Sequence, residues 1–114
     1  MVLLFLKKVL TTLYCVGTVY HAVPAQTDSS PRITAANYYI EDIHNPPRYV
    51  AVPQDWIGRV VEFGDEVQVE CDCYVEGKWI VGDVMNARYN GQKRVDFLVP
   101  PTVYDKYYIK LKIL

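Results

Sequence analysis

"EVQVECDCYVEGKWIVG", residues 66–82, carries the clearest structural pattern in the chain. Val67, Val69, Cys71, Cys73 and Val75 fall on one face, and Gln68, Glu70 and Asp72 fall on the other. That period of two marks a half-buried strand. The triplet Glu76-Gly77-Lys78 reads as a tight turn, and Lys78 opens a second run, "KWIVGDVMNARY" (78–89). Two such strands joined by a turn are the minimal unit of an antiparallel sheet, so the expected strands here are 66–75 and 78–89.

Working outward, "RYVAV" (48–52), "KRVDFLV" (93–99) and "KYYIKLKIL" (106–114) supply three more strands. In the last, Ile109, Leu111 and Ile113 alternate with Tyr108, Lys110 and Lys112. Asn90-Gly91 suits the positive φ angles of a two-residue hairpin, so 66–99 is expected to form a three-stranded antiparallel meander. Short strands without a long helix imply an all-β fold, a small five- to six-stranded antiparallel barrel or sandwich.

The N-terminal side reads differently. Lys7 and Lys8 precede an apolar stretch, "VLTTLYCVGTVY", and "AVPA" offers small residues for a cut after Ala25. Residues 1–25 therefore read as a secretory signal peptide, too diluted by Thr and Gly for a membrane span of roughly 20 residues. An uncleaved N-terminal anchor is the competing reading. Residues 26–47 read as a polar leader and a short element interrupted by "HNPP", because proline removes a backbone donor and restricts the residue before it. Residues 48–114 form the expected barrel domain.

Charge and composition narrow the function. Of 12 basic residues, Lys7 and Lys8 leave with the signal, and the remainder against 13 acidic residues gives a mature charge of about −3. Nucleic-acid affinity needs clustered Lys and Arg, so no nucleic-acid partner is expected. Of three cysteines, Cys15 leaves with the signal. Cys71 and Cys73, at positions i and i+2 of a strand, point the same way from about 6 to 7 Å apart. That is a poor geometry for a disulfide, and both read as small apolar side chains continuing the valine stripe.

With the strands in place, residues 51–104 resemble an SH3-type barrel. "AVPQDW" (51–56) is similar to the family's ALYDY stretch, and "EFGDEVQV" (62–69) to the end of its long loop. "KWIVG" falls where the family carries its ligand-groove tryptophan, and "FLVPPTVY" (97–104) resembles its Pro-x-x-Tyr ending. Secreted SH3-like domains of the melanoma inhibitory activity type resemble this layout, and ToxB-like MAX fungal effectors, another small secreted all-β class, are similar in size, signal and strand count. The resemblance implies an aromatic groove lined by Trp56, Trp79, Pro101 and Tyr104 for a polyproline-type peptide. Glu62 and Asp65 would flank it and favour a basic ligand residue.

Enzymatic chemistry finds few materials in the expected mature chain. Its only histidine is His44, and its only serines, Ser29 and Ser30, lie in the leader. A thiol enzyme or redox protein using Cys71 or Cys73 with His44 is the alternative. A structural zinc site needs four ligands, so no metal or cofactor is expected. Glu66, Glu70 and Asp72 read as a solvated strand face, with no calcium-loop spacing. Tyrosine and tryptophan are enriched, and both are preferred anchors of binding surfaces. The expectation is a secreted, extracellular, non-enzymatic module that binds a protein or peptide, as a pathogen effector on a host protein or as an extracellular ligand. An exposed edge strand 106–114 is its second candidate surface. A membrane-anchored accessory protein with an uncleaved N-terminus is the remaining alternative.

Overall fold

The structure is a computed structural model, and it describes residues 11–23 and 32–114. Six strands close into a barrel: β1 Thr11–Tyr20, β2 Tyr49–Val52, β3 Glu66–Glu70, β4 Gly77–Val84, β5 Arg94–Leu98 and β6 Tyr107–Ile113. Around the barrel the order is β1-β5-β2-β4-β3-β6, with β6 returning to β1. The all-β expectation holds. Five expected strands are present, shortened except where β4 begins one residue early at Gly77, and β1 is the sixth.

The inner face follows the period-2 pattern. Val67 and Val69 of β3, Trp79 and Val81 of β4, and Ile109 and Leu111 of β6 meet Val50, Val52, Val95 and Phe97 in one buried cluster. Each buried aliphatic side chain contributes roughly 1.5–3 kcal/mol. Gly17 of β1 is required by closeness: a Cβ there would lie 2.7 Å from Cε2 of Phe97. A second buried cluster lies outside the barrel wall, where Ile40 packs with Tyr20, Ala51, Met85 and Leu98.

Two expectations are corrected. The meander ends at β4, because β2 lies between β4 and β5 and pairs with both. Asn90-Gly91 therefore makes no hairpin. Instead Asn90 Oδ1 accepts from the Asp55 N–H at 3.3 Å and Asp55 Oδ2 accepts from the Gly91 N–H at 3.0 Å. This reciprocal pair ties the short 3-10 turns Gln54–Trp56 and Ala87–Tyr89 together. Two pairings are parallel, β1 with β5 and β2 with β4, which consecutive hairpins cannot generate.

The second correction concerns the thiols. Strand β3 stops at Glu70, and Cys71 and Cys73 are joined by a disulfide across the bend that follows, with Cα atoms 5.3 Å apart. The geometric objection assumed a continuing strand; once the chain bends, the two Cα atoms come within ordinary bridging distance. The reversal spans the bridge rather than Glu76-Gly77 alone, and β3 and β4 resume pairing at Val69 opposite Gly77.

Residues 11–20, the apolar run expected in a signal peptide, form β1, paired with β6 over seven residues and with β5 over five. Lys7, Lys8, Ala25 and residues 26–31 of the expected leader lie outside the described residues. With β1 in place, β6 has a partner on both sides and is not an edge strand. No helix among the described residues is long and apolar enough to cross a membrane.

Candidate functional site

The residues expected to form an aromatic groove are dispersed. Trp79 is 2 % exposed, its Nε1–H donates to the Val75 carbonyl at 2.8 Å, and its ring packs on Phe97. The Arg48 guanidinium covers the other side, 4.3 Å from the ring centroid, and donates to the Glu76 carbonyl at 2.9 Å. Trp79 thus anchors the disulfide-bridged turn to the core. Trp56 is also buried, at the end of its 3-10 turn. Glu62 and Asp65 are together, with Asp65 Oδ2 accepting from the Glu62 N–H at 2.9 Å. Pro101 is half-buried, and exposed Tyr104 packs edge-on against His21 at 4.6 Å. Neither indole faces solvent, so these six residues present no shared aromatic surface.

The thiols offer little chemistry as they stand. Cys71 and Cys73 are bridged, and His44 is exposed on the segment before β2. Cys15 is free but buried, and burial pushes its thiol up to about 11, Lys93 opposing the shift. A thiol so held stays protonated and is a poor nucleophile.

A different constellation lies on the outer face of the barrel. Thr18 of β1 is in register with Asp96 of β5, Asp96 with Ala51 of β2, and Ala51 with Asp83 of β4. Four adjacent strands therefore carry Thr18, Asp96, Ala51 and Asp83 in one row, with a carboxylate on each side of the alanine. Neighbouring strands are about 4.8 Å apart, so the two aspartate backbones are about 9.5 Å apart.

Each carboxylate has its own donors. Thr18 Oγ1 donates to Asp96 Oδ1 at 2.9 Å, and Arg94 Nε donates to Thr18 Oγ1 at 3.4 Å. On the other side, the Tyr20 hydroxyl donates to Asp83 Oδ2 at 3.0 Å, while the Ala35 and Val84 N–H groups both donate to Oδ1 at 2.9 Å. Tyr20 lies two residues beyond Thr18 on the same face of β1, and its phenol crosses the row to reach β4. The small side chain of Ala51, in the same buried cluster as Tyr20, leaves room for that crossing.

The electrostatics separate the groups. Burial raises the Asp96 carboxyl above the usual range, aided by the nearby Asp83 charge and opposed by the Thr18 hydrogen bond, Arg94 and His21. Burial raises the Tyr20 phenol well above its usual value, and the Asp83 charge and hydrogen bond add to the shift. Tyr20 is thus held as a donor, and Asp96 keeps its proton to higher pH than a solvated aspartate. Polar residues with shifted titration, grouped on one face, are what acid–base chemistry requires.

Sequence reasoning did not single out Asp83 and Asp96, because the row that joins them arises only from pairing between strands distant in sequence. Thr18 and Tyr20 were passed over because they lay in the expected signal. No metal-holding cluster of His, Cys, Asp and Glu occurs among the described residues. Comparison with protein-family models, with curated proteins and with solved structures finds no match to this chain.

Proposed function

We propose that this protein is an acid–base hydrolase acting on a glycosidic bond, with Asp96 as proton donor and Asp83 as partner carboxylate. The observation that carries the reading is the outer row, in which Ala51 separates two carboxylates with different hydrogen-bond partners. A dyad sharing one proton needs its oxygens in contact, whereas the carboxyl groups of an inverting glycosidase stand roughly 6.5–9.5 Å apart, and these two are carried on backbones two strands apart.

In this scheme Asp96 gives its proton to the glycosidic oxygen as the bond to the anomeric carbon breaks. Asp83 takes a proton from the water that forms the new carbon–oxygen bond. The products are a hemiacetal and an alcohol, and solvent exchange returns Asp96 to its acid form. Thr18 and Tyr20 are positioning residues that orient the two carboxyl groups.

The test is release of reducing ends from a panel of soluble glycans by the full chain. Turnover that falls by about 10²–10⁴-fold in Asp96→Asn is expected for loss of a general acid. No release from any glycan, or equal rates in the variant, overturns the reading.

A second reading retains secretion and protein binding. It is favoured by the position of β1 inside the expected signal: a cut after Ala25 would remove β1 and leave one side of β5 and of β6 unpaired. Such edges accept a partner's strand. The same cut would remove Thr18 and Tyr20, so the two readings exclude each other. The N-terminal residue of the protein isolated from its producer decides between them: a chain beginning before Thr11 supports the hydrolase, and one beginning at Gln26 supports the strand acceptor.

A further inference from the structure

Two shallow clefts of about 550 and 430 Å³ run along the outer side of β1 and share Val16 and Lys93. The second reaches Thr18, which bonds Asp96. Together the clefts are lined by four cations, Lys93, Arg94, Lys106 and Lys110, against one carboxylate, Glu70. That carboxylate is already engaged, 3.7 Å from Lys110 and 2.6 Å from Lys112. The whole chain has a formal charge of −1, so positive charge is concentrated here against the overall balance. Tyr14 and Tyr108 stand on the same walls, 70 % and 78 % exposed. Lys110 lies 5.9 Å from the Tyr14 ring and Lys106 6.0 Å from the Tyr108 ring.

From this we infer that the trough along β1 binds an acidic polysaccharide and leads it to the carboxylate row, which makes this inference rest on the hydrolase reading. The cations match carboxylate or sulfate groups spaced along a sugar chain. The two exposed phenol rings offer flat faces on which the apolar side of a pyranose ring can lie, with hydroxyl tips for its polar rim. An extended polymer suits the shape, because two joined open clefts hold several sugar units in line better than one compact molecule. A neutral glycan would offer the lysines no opposite charge, and a single-stranded nucleic acid would use the rings for base stacking.

Affinity electrophoresis of the full chain through gels containing polygalacturonate, dextran or a single-stranded oligonucleotide tests the trough. Polygalacturonate is expected to retard the protein, dextran to leave it unretarded, and the oligonucleotide to bind at least tenfold more weakly. K93E combined with K106E should reduce polygalacturonate binding at least tenfold. R59E combined with R88E, at exposed positions outside the clefts, makes the same change in net charge and should change binding less than twofold. Equal retardation by dextran, tighter binding of the oligonucleotide, or no effect of the lysine reversals overturns the inference. Asp96→Asn separates it from the hydrolase reading: unchanged polygalacturonate binding in this variant supports the trough whether or not any glycan is cut. Loss of turnover in Asp96→Asn with no retardation of the wild type keeps the carboxylates and overturns the trough.

Discussion

The inside and the outside of the barrel wall are built from the same strands and obey different rules. Inside, Val67, Val69, Trp79 and Val81 touch whatever apolar groups face them, and the requirement is volume. Outside, Thr18, Asp96, Ala51 and Asp83 form a row whose value depends on register, because a slip of one residue would turn each of these side chains inward. The contrast shows that the core constrains the fold loosely in sequence and tightly in shape, whereas the polar row constrains particular positions.

The largest separation of the two faces is expected from Asp96→Asn. Beyond its loss of turnover, the variant should keep its fold, since an amide oxygen can still accept from Thr18. The native state binds the Asp96 proton more tightly than the unfolded chain does. Stability linked to that proton is present below the unfolded carboxyl value and is lost as pH rises through the raised native one. Thermal unfolding of the neutral variant should therefore gain on the wild type as pH rises from 4 to 8. Parallel curves for the two proteins would break the assignment of a half-buried, proton-holding Asp96.

Trp79→Ala tests the other face. Removing a buried indole costs about 3–5 kcal/mol and also takes the ring from under the Arg48 guanidinium and the donor from the Val75 carbonyl. Denaturant unfolding should show this loss, and a change below 1 kcal/mol would show that Trp79 is not core.

Gly17→Val should cost about 1–3 kcal/mol by overpacking against Phe97. This variant also checks β1, since a chain that works without β1 would be indifferent to it. The smallest effect is expected from Tyr20→Phe. It removes one hydrogen bond to Asp83 at a stability cost of about 1 kcal/mol, with the ring still filling the space over Ala51. Its signature is kinetic: the pH profile of turnover should shift while substrate affinity holds, and an unchanged profile would make Tyr20 a packing residue only.

Much of the barrel was legible because alternation is local. "EVQVE" and "YYIKLKI" state their buried faces within five to seven residues, and both became strands with those faces inward. Where the reading failed, a neighbour from elsewhere intervened. Asn90-Gly91 has a strong hairpin signature, yet β2 takes the place beside β5 and the turn residues bond Asp55 instead. Trp79 beside its turn suits a core and a binding role about equally from sequence, and Arg48, thirty-one positions earlier, closes over it. Residues 11–20 suit both a signal's apolar region and a barrel strand, since both draw on the same residue types.

Local patterns alone were enough for the class of fold, the inner stripe of each later strand and the scarcity of serine and histidine. Only the tertiary structure decided which strands are neighbours, that β1 closes the barrel, and that Cys71 and Cys73 meet across a bend. It also decided that Thr18 and Asp96, 78 positions apart, share a hydrogen bond. The reason is physical: alternation records which face of a strand avoids water, a property of each segment alone. Register and strand order come from the joint packing of all six strands, which no single segment encodes.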